Sequence, residues 1–104
     1  MEKKYVLGVD GGNTKTQYYL FDHFGKPAGH LKAGTCSHEK MPGGFEGCKR
    51  EMARQLDALF SQSGISVKDI VYSVFGLAGA DFDWQKRELE KILRGMGFEN
   101  FIVE

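Results

Sequence analysis

The residues best suited to chemistry lie near the start of the 104-residue chain, in Val9-Asp10-Gly11-Gly12-Asn13-Thr14-Lys15-Thr16. One carboxylate closes an apolar run, two glycines and an asparagine make a turn, and hydroxyl residues open the segment that returns. Such a turn gathers several backbone amides around a small concavity, the geometry that phosphate oxygens need. Glycine lets the main chain approach a phosphate without a Cβ in the way, and Gly and Asn accept the positive φ of a tight turn. Asp10 is placed to hold a hydrated Mg²⁺, which prefers one or two carboxylates together with waters and nucleotide phosphates. Thr14 and Thr16 carry hydroxyls able to donate to the same phosphates. The spacing GxxxxGK[ST] is absent and the turn leads to a strand rather than a helix, which excludes a Walker loop and a dinucleotide fingerprint. An ordinary hairpin also contains Asp-Gly and Gly-Asn. The full pattern Asp-x-Gly-x-Thr directly after a buried strand is the more specific one.

A second block, Gly76-Leu77-Ala78-Gly79-Ala80-Asp81, reads by itself as a strand-to-helix connection. Asp81 or Asp83 is suited to cap the helix after it, because a carboxylate accepts from the free amides of a first turn. A third stretch, Thr35-Cys36-Ser37-His38, offers hydroxyls and an imidazole that can donate or accept. Cys36, His38, His30 and Cys48 have no zinc-finger spacing. Cys48 falls on an apolar helical stripe and reads as core, and Trp84 reads as packing or a dimer contact.

The elements that must position these residues follow from periodicity. Tyr5 to Val9 is a nearly continuous apolar run, which suits a central strand covered on both faces. Lys15 to Phe21 alternates, with Thr16, Tyr18 and Leu20 on one side. A turn at Asp22–Pro27 and a weaker strand at Ala28–Ala33 come next, then a loop to Gly44. Phe45, Cys48, Met52, Leu56, Leu59 and Phe60 make one stripe and predict a helix over Phe45–Ser63, stopped by Gly64. Ile70–Phe75 predicts a strand and Gly76–Ala80 a loop. Leu89, Ile92, Leu93 and Met96 predict a second helix that ends at Gly95 or Gly97, and Phe101 opens a fifth strand. Three hairpin-linked strands followed by α-β-α-β give an α/β mixed sheet with helices packed on it.

The two glycine blocks, in this order and with this sheet between them, resemble the N-acetylglucosamine kinase and BadF/BadG/BcrA/BcrD-type ATPase family of the actin/hexokinase/Hsp70 superfamily. The resemblance covers the whole chain but only the first segment of a family member. It implies a ribonuclease-H-like sheet, with residues 1–104 forming an N-terminal lobe that breaks off within its fifth strand. It implies ATP and Mg²⁺ as cofactors, bound in a cleft shared with a second lobe of the same protein. The implied reaction is phosphoryl transfer from ATP to a hydroxyl of an N-acetylglucosamine-type sugar, and a homodimer is compatible with it. Carried over, Asp10 is near Mg²⁺, and Gly11, Gly12, Asn13, Thr14 and Thr16 line the phosphates with Lys15 as charge support. Ser37, His38, Gly76, Ala78, Gly79 and Asp81 border the sugar. The chain departs from the family where a Ser-Asn or Thr-Asn pair usually reaches the sugar, since Ser37-His38 stands there, so His38 takes the place of the amide. The base that accepts the substrate proton is expected after Glu104, so no catalytic residue is assigned here and the piece alone is expected to be inactive. Two rivals keep the fold. One is an ATPase that activates a 2-hydroxyacyl-CoA dehydratase or benzoyl-CoA reductase, which needs cluster cysteines. The other is a nucleotide-binding module that transfers nothing.

Composition narrows the classes. Lys plus Arg and Asp plus Glu number 14 each, so no net field draws nucleic acid or an acidic membrane. Met1-Glu2-Lys3-Lys4 leads straight into an apolar segment broken by Gly8 and Asp10, too short for a signal peptide or a membrane span. Two cysteines make no disulfide scaffold. A cytoplasmic location is the expectation.

Overall fold

The computed structural model describes residues 4–104. Met1–Lys3, read above as the charged lead into the first strand, lie outside the described residues. β1 (Tyr5–Gly11) and β2 (Lys15–Asp22) form an antiparallel ribbon in which Gly11 faces Thr16 and Tyr5 faces Asp22. β3 (Pro27–Gly34) returns antiparallel beside β2. After α1 (Phe45–Ser63) and a 3-10 turn at Val67–Asp69, β4 (Ile70–Leu77) pairs parallel with β1. α2 (Asp83–Gly95) then leads to β5 (Phe101–Val103), parallel to β4. The strand order is β3-β2-β1-β4-β5, which makes β1 the middle strand of a mixed sheet, as the alternation and the apolar run require.

One face of the sheet carries the core. Leu7, Tyr18, Leu20 and Phe75 are fully buried there, beneath Cys48, Met52, Leu56 and Leu59 of α1 and Leu89 and Leu93 of α2. Each large apolar side chain buried this way contributes about 1.5–3 kcal/mol relative to exposure. The other face is a correction to the expectation for β1. Among the described residues no helix covers Val6, Gly8 or Val74, which are half-buried, nor Tyr19, Tyr72 and Ile102, which are exposed. Both helices connect strands on the same side, as their mutual packing requires.

The helix ends are set by different devices. Gly64 ends α1 in the left-handed region and its amide returns to the Phe60 and Ser61 carbonyls. At α2 neither Asp81 nor Asp83 caps. Gln85, buried in the first turn, bends back, and its Oε1 accepts from the amides of Asp81 and Phe82 at 2.9 and 3.0 Å. A side chain inside the helix thus holds the two amides just before it, while among the described residues no carboxylate accepts from the amides of the first turn.

Candidate functional site

β1, β4 and β5 all run in one direction, so their carboxyl ends share one edge of the sheet with the start of β2 and the end of β3. Crevices outside the carboxyl ends of strands are where open α/β sheets bind ligands. The Asp10–Thr16, Thr35–His38 and Gly76–Asp81 stretches lie on or beside this edge. Hydrogen bonds stitch it together. The Ala78 amide donates to the Gly11 carbonyl at 2.7 Å, joining the two glycine blocks, and the Leu77 amide donates to the Glu104 carbonyl at 2.9 Å. Asp10 lies opposite Gly76 in the parallel register, on the uncovered face. Its carboxylate is exposed and has no partner among the described residues.

The turn that follows is tighter than its glycines suggest. The Gly12 amide donates to the Lys15 carbonyl at 2.8 Å, leaving Asn13 and Thr14 as the tip. Their amides have no partner among the described residues, and Asn13, Thr14 and Lys15 are all exposed. None of Gly11, Gly12 and Asn13 has a positive φ, contrary to the expectation from turn chemistry. A Cβ at Gly11 would lie 2.9 Å from Leu77 Cδ2, the movable end of a side chain, so glycine eases the close approach of the ends of β1 and β4 rather than dictating it.

Thr16 corrects the phosphate set. It is fully buried, and its hydroxyl donates to the Gly34 carbonyl at 3.0 Å and lies 3.5 Å from Cys36 Sγ. Alternation along β2 turns it inward with Tyr18 and Leu20, away from the exposed Lys15. Gly34 O also accepts from Gln55 Nε2 at 3.0 Å, and Gln55 Oε1 accepts from the Tyr18 hydroxyl at 2.7 Å. Gln55 Nε2 further donates to Glu51, whose carboxyl Arg54 and Gln55 hold below the usual carboxylate range. The base of the ribbon is thereby fastened to α1. Burial pushes the Cys36 thiol up and the Cys48 thiol up to about 12, so both remain neutral members of the core.

Sequence reasoning did not single out Thr35. Its Oγ1 donates to the Gly12 carbonyl at 2.8 Å and accepts from the Ser37 amide at 3.1 Å, so it ties the loop after β3 to the hairpin. A hydroxyl directly after a strand that ends beside the turn was the available signal. Ser37 is buried, and its Oγ accepts from the Glu39 amide at 3.3 Å, so it shapes the loop rather than facing the edge. His38 spans the two loops, its Nε2 donating to the Gly79 carbonyl at 2.9 Å while its ring stacks on Phe45 at 4.0 Å. A carbonyl can only accept, so Nε2 carries the proton in this contact, and Nδ1 has no partner among the described residues. Gly79 has φ of +89° and Ala80 is buried, whereas Asp81 is exposed with its carboxylate unpaired among the described residues. Gly76 and Leu77, expected in a loop, complete β4. A cavity of about 600 Å³ between α1 and the end of α2, lined by Leu56, Phe60, Ile65, Val67, Met96 and Phe98, includes none of these residues.

Solved structures share this arrangement. A protein from Chromobacterium violaceum assigned as an N-acetylglucosamine kinase superposes with a TM-score of 0.69 at 22% identity, over 96% of this chain and 34% of that one. MreB5 of Spiroplasma citri, bound to ADP, matches with a TM-score of 0.58 at 10% identity, over 97% of this chain and 38% of that one. The chain folds as actin-like ATPases do. Component A of (R)-2-hydroxyglutaryl-CoA dehydratase from Acidaminococcus fermentans has the same fold, with a TM-score of 0.59 at 15% identity over 96% of this chain and 30% of that one. In sequence, the N-acetylmuramic acid/N-acetylglucosamine kinase of Clostridium acetobutylicum is 28% identical over 111 aligned positions. That alignment takes in 96% of this chain and 32% of the relative, so the chain spans about a third of the length of the curated protein it matches. No family model matches the chain. The resemblance carried by Asp10–Thr16 and Gly76–Asp81 is thus borne out by sequence and by fold. Among the described residues no helix is long and apolar enough to cross a membrane.

Proposed function

We propose that this chain supplies the phosphate-gripping lobe of an ATP-dependent kinase acting on a hydroxyl of an N-acetylglucosamine-type sugar. The observation that carries the reading is the bond from the Ala78 amide to the Gly11 carbonyl. It brings the hairpin and the Gly76–Asp81 loop to one edge, so that phosphates held at the first lie beside an acceptor held at the second. Phosphoryl transfer depends on positioning and electrostatic stabilisation. The amides of Asn13 and Thr14, the Thr14 hydroxyl and the Lys15 ammonium supply donors and positive charge at the tip. Asp10, exposed and unengaged, fits a Mg²⁺ site completed by waters and phosphates. When bound, that ion would neutralise charge developing on the phosphoryl oxygens. The same fold hosts the dehydratase component; Cys36 and Cys48 are both buried in the core, so an activator reading would need its cluster cysteines elsewhere in the protein.

A coupled kinase assay of the full-length protein with N-acetylglucosamine and related sugars tests the reading, with Asp10→Ala as the control. Turnover that falls by at least about a hundredfold in the variant, with folding intact, is the expected result. Unchanged turnover in Asp10→Ala, or no phosphorylation of any sugar, overturns it.

A further inference from the structure

Trp84 and Phe82 flank the exposed start of α2, and both remain open to solvent, at 53% and 63% of their surface. A tryptophan this open leaves a large apolar area uncovered. The exposure is not random, because Trp84 is the outer member of a chain of ring contacts that ends on the acceptor loop. Its indole meets Phe45 edge-on at 6.0 Å, Phe45 stacks face to face on His38 at 4.0 Å, and His38 donates to the Gly79 carbonyl. Phe45 is half-buried and so holds Trp84 from the inside while leaving the rest of the indole free. Asp81, exposed and unpaired among the described residues, stands three positions before it.

From this arrangement we infer that Trp84 is the platform on which the acceptor sugar rests. A pyranose ring has an apolar face of C–H groups and a rim of hydroxyls. An indole covers the face while polar groups at its margin take the rim, the usual division of labour in a small-molecule site. Here Asp81, three positions before Trp84, and His38, one ring further along the same series of contacts, supply the polar groups on this side of the start of α2. The acceptor class is therefore a closed pyranose, and an acyclic polyol with the same hydroxyls is discriminated against. The inference rests on the sugar-kinase reading for the identity of the reaction, but it makes a binding claim that can be tested apart from turnover.

Trp84 is the chain's sole tryptophan, so its emission reports its own surroundings. The protein is titrated with N-acetylglucosamine and, separately, with glycerol, and Trp84→Phe serves as the reference that isolates this indole. The expected result is a saturable emission change with the sugar and none with glycerol. Trp84→Ala should raise the KM for sugar about tenfold, equivalent to roughly 1.4 kcal/mol, while kcat and the KM for ATP change little and Trp84→Phe retains most of the affinity. Emission unmoved by the sugar overturns the inference, as does an unchanged sugar KM in Trp84→Ala. So does a loss of self-association in that variant with sugar binding intact, which would make Trp84 a contact between copies. An emission change without phosphorylation sustains the platform and defeats the kinase reading. Phosphorylation without an emission change does the reverse.

Discussion

Thr16 separates two readings of the same motif, and Thr16→Val tests them. Valine keeps the shape of the side chain and deletes the hydroxyl that donates to the Gly34 carbonyl at 3.0 Å. That carbonyl is not orphaned, because Gln55 Nε2 still donates to it at 3.0 Å. The new methyl group meets Cys36 Sγ, whose thiol is a weak partner. The loss is then one buried hydrogen bond without a stranded acceptor, about 1 kcal/mol. In a domain of about this size that lowers Tm by roughly 4–8 °C. Gln55→Ala is the harsher companion, since it also removes the acceptor of the fully buried Tyr18 hydroxyl, and should cost about 3 kcal/mol. The two variants share Gly34 O, so the double substitution should not be additive. Thermal and denaturant unfolding followed by circular dichroism measure all three, and the KM for ATP in Thr16→Val should stay at its original value. A Thr16→Val protein as stable as the original but with a weakened ATP interaction would show that the hydroxyl faces phosphate, and would refute the inward placement.

Gly79→Ala should be damaging twice over. An L-residue at φ of +89° is strained by about 1–3 kcal/mol, and the added Cβ would lie 2.5 Å from His38 Nε2. The sugar KM should rise more than the KM for ATP, measured in the same kinase assay. The buried thiols give a pH dependence. Cys48 has a folded pKa raised to about 12 from an ordinary value of 9.0, so the unfolded chain loses this proton first. Its contribution to stability is complete below pH 9 and disappears as pH rises towards 12, by up to about 1.4 kcal/mol per pH unit. Cys36 and Tyr18 are shifted in the same direction. Denaturant midpoints from pH 8 to 11 should therefore fall, and the midpoints of Cys48→Ala should fall less steeply.

Much of this fold was legible because its core obeys simple periods. The stripe Phe45, Cys48, Met52, Leu56, Leu59 and Phe60 fixed both ends of α1, and Gly64 stops it in the left-handed region. The strands were read too short at Asp22, Gly34 and Leu77, where residues of weak strand preference are held by partners across the ladder. Caps failed for a related reason. Gln85 lies inside its helix, so the search for a carboxylate before Asp83 passed over it. The glycines of the hairpin were read as torsional, but neither has a positive φ, and the nearest neighbour of a Cβ at Gly11 would be Leu77, a residue distant in sequence. Thr16 was placed by motif rather than by alternation, although the alternation with Tyr18 and Leu20 already turned it inward. Thr35 left one local signal, a hydroxyl directly after a strand, but its partner and that of His38 required knowing which loops meet at the edge.

The bare side of the sheet has a practical consequence. Tyr19, Tyr72 and Ile102, with the half-buried Val6 and Val74, leave aliphatic and aromatic groups of four adjacent strands uncovered, and among the described residues no ion pair lies between them. Handled by itself in dilute buffer, this polypeptide is a sticky object that should take up hydrophobic dyes while fully native. Its recovery should depend on protein concentration and detergent more than on salt. Polar replacements at Tyr72 and Ile102 are the natural first step for anyone who needs well-behaved material.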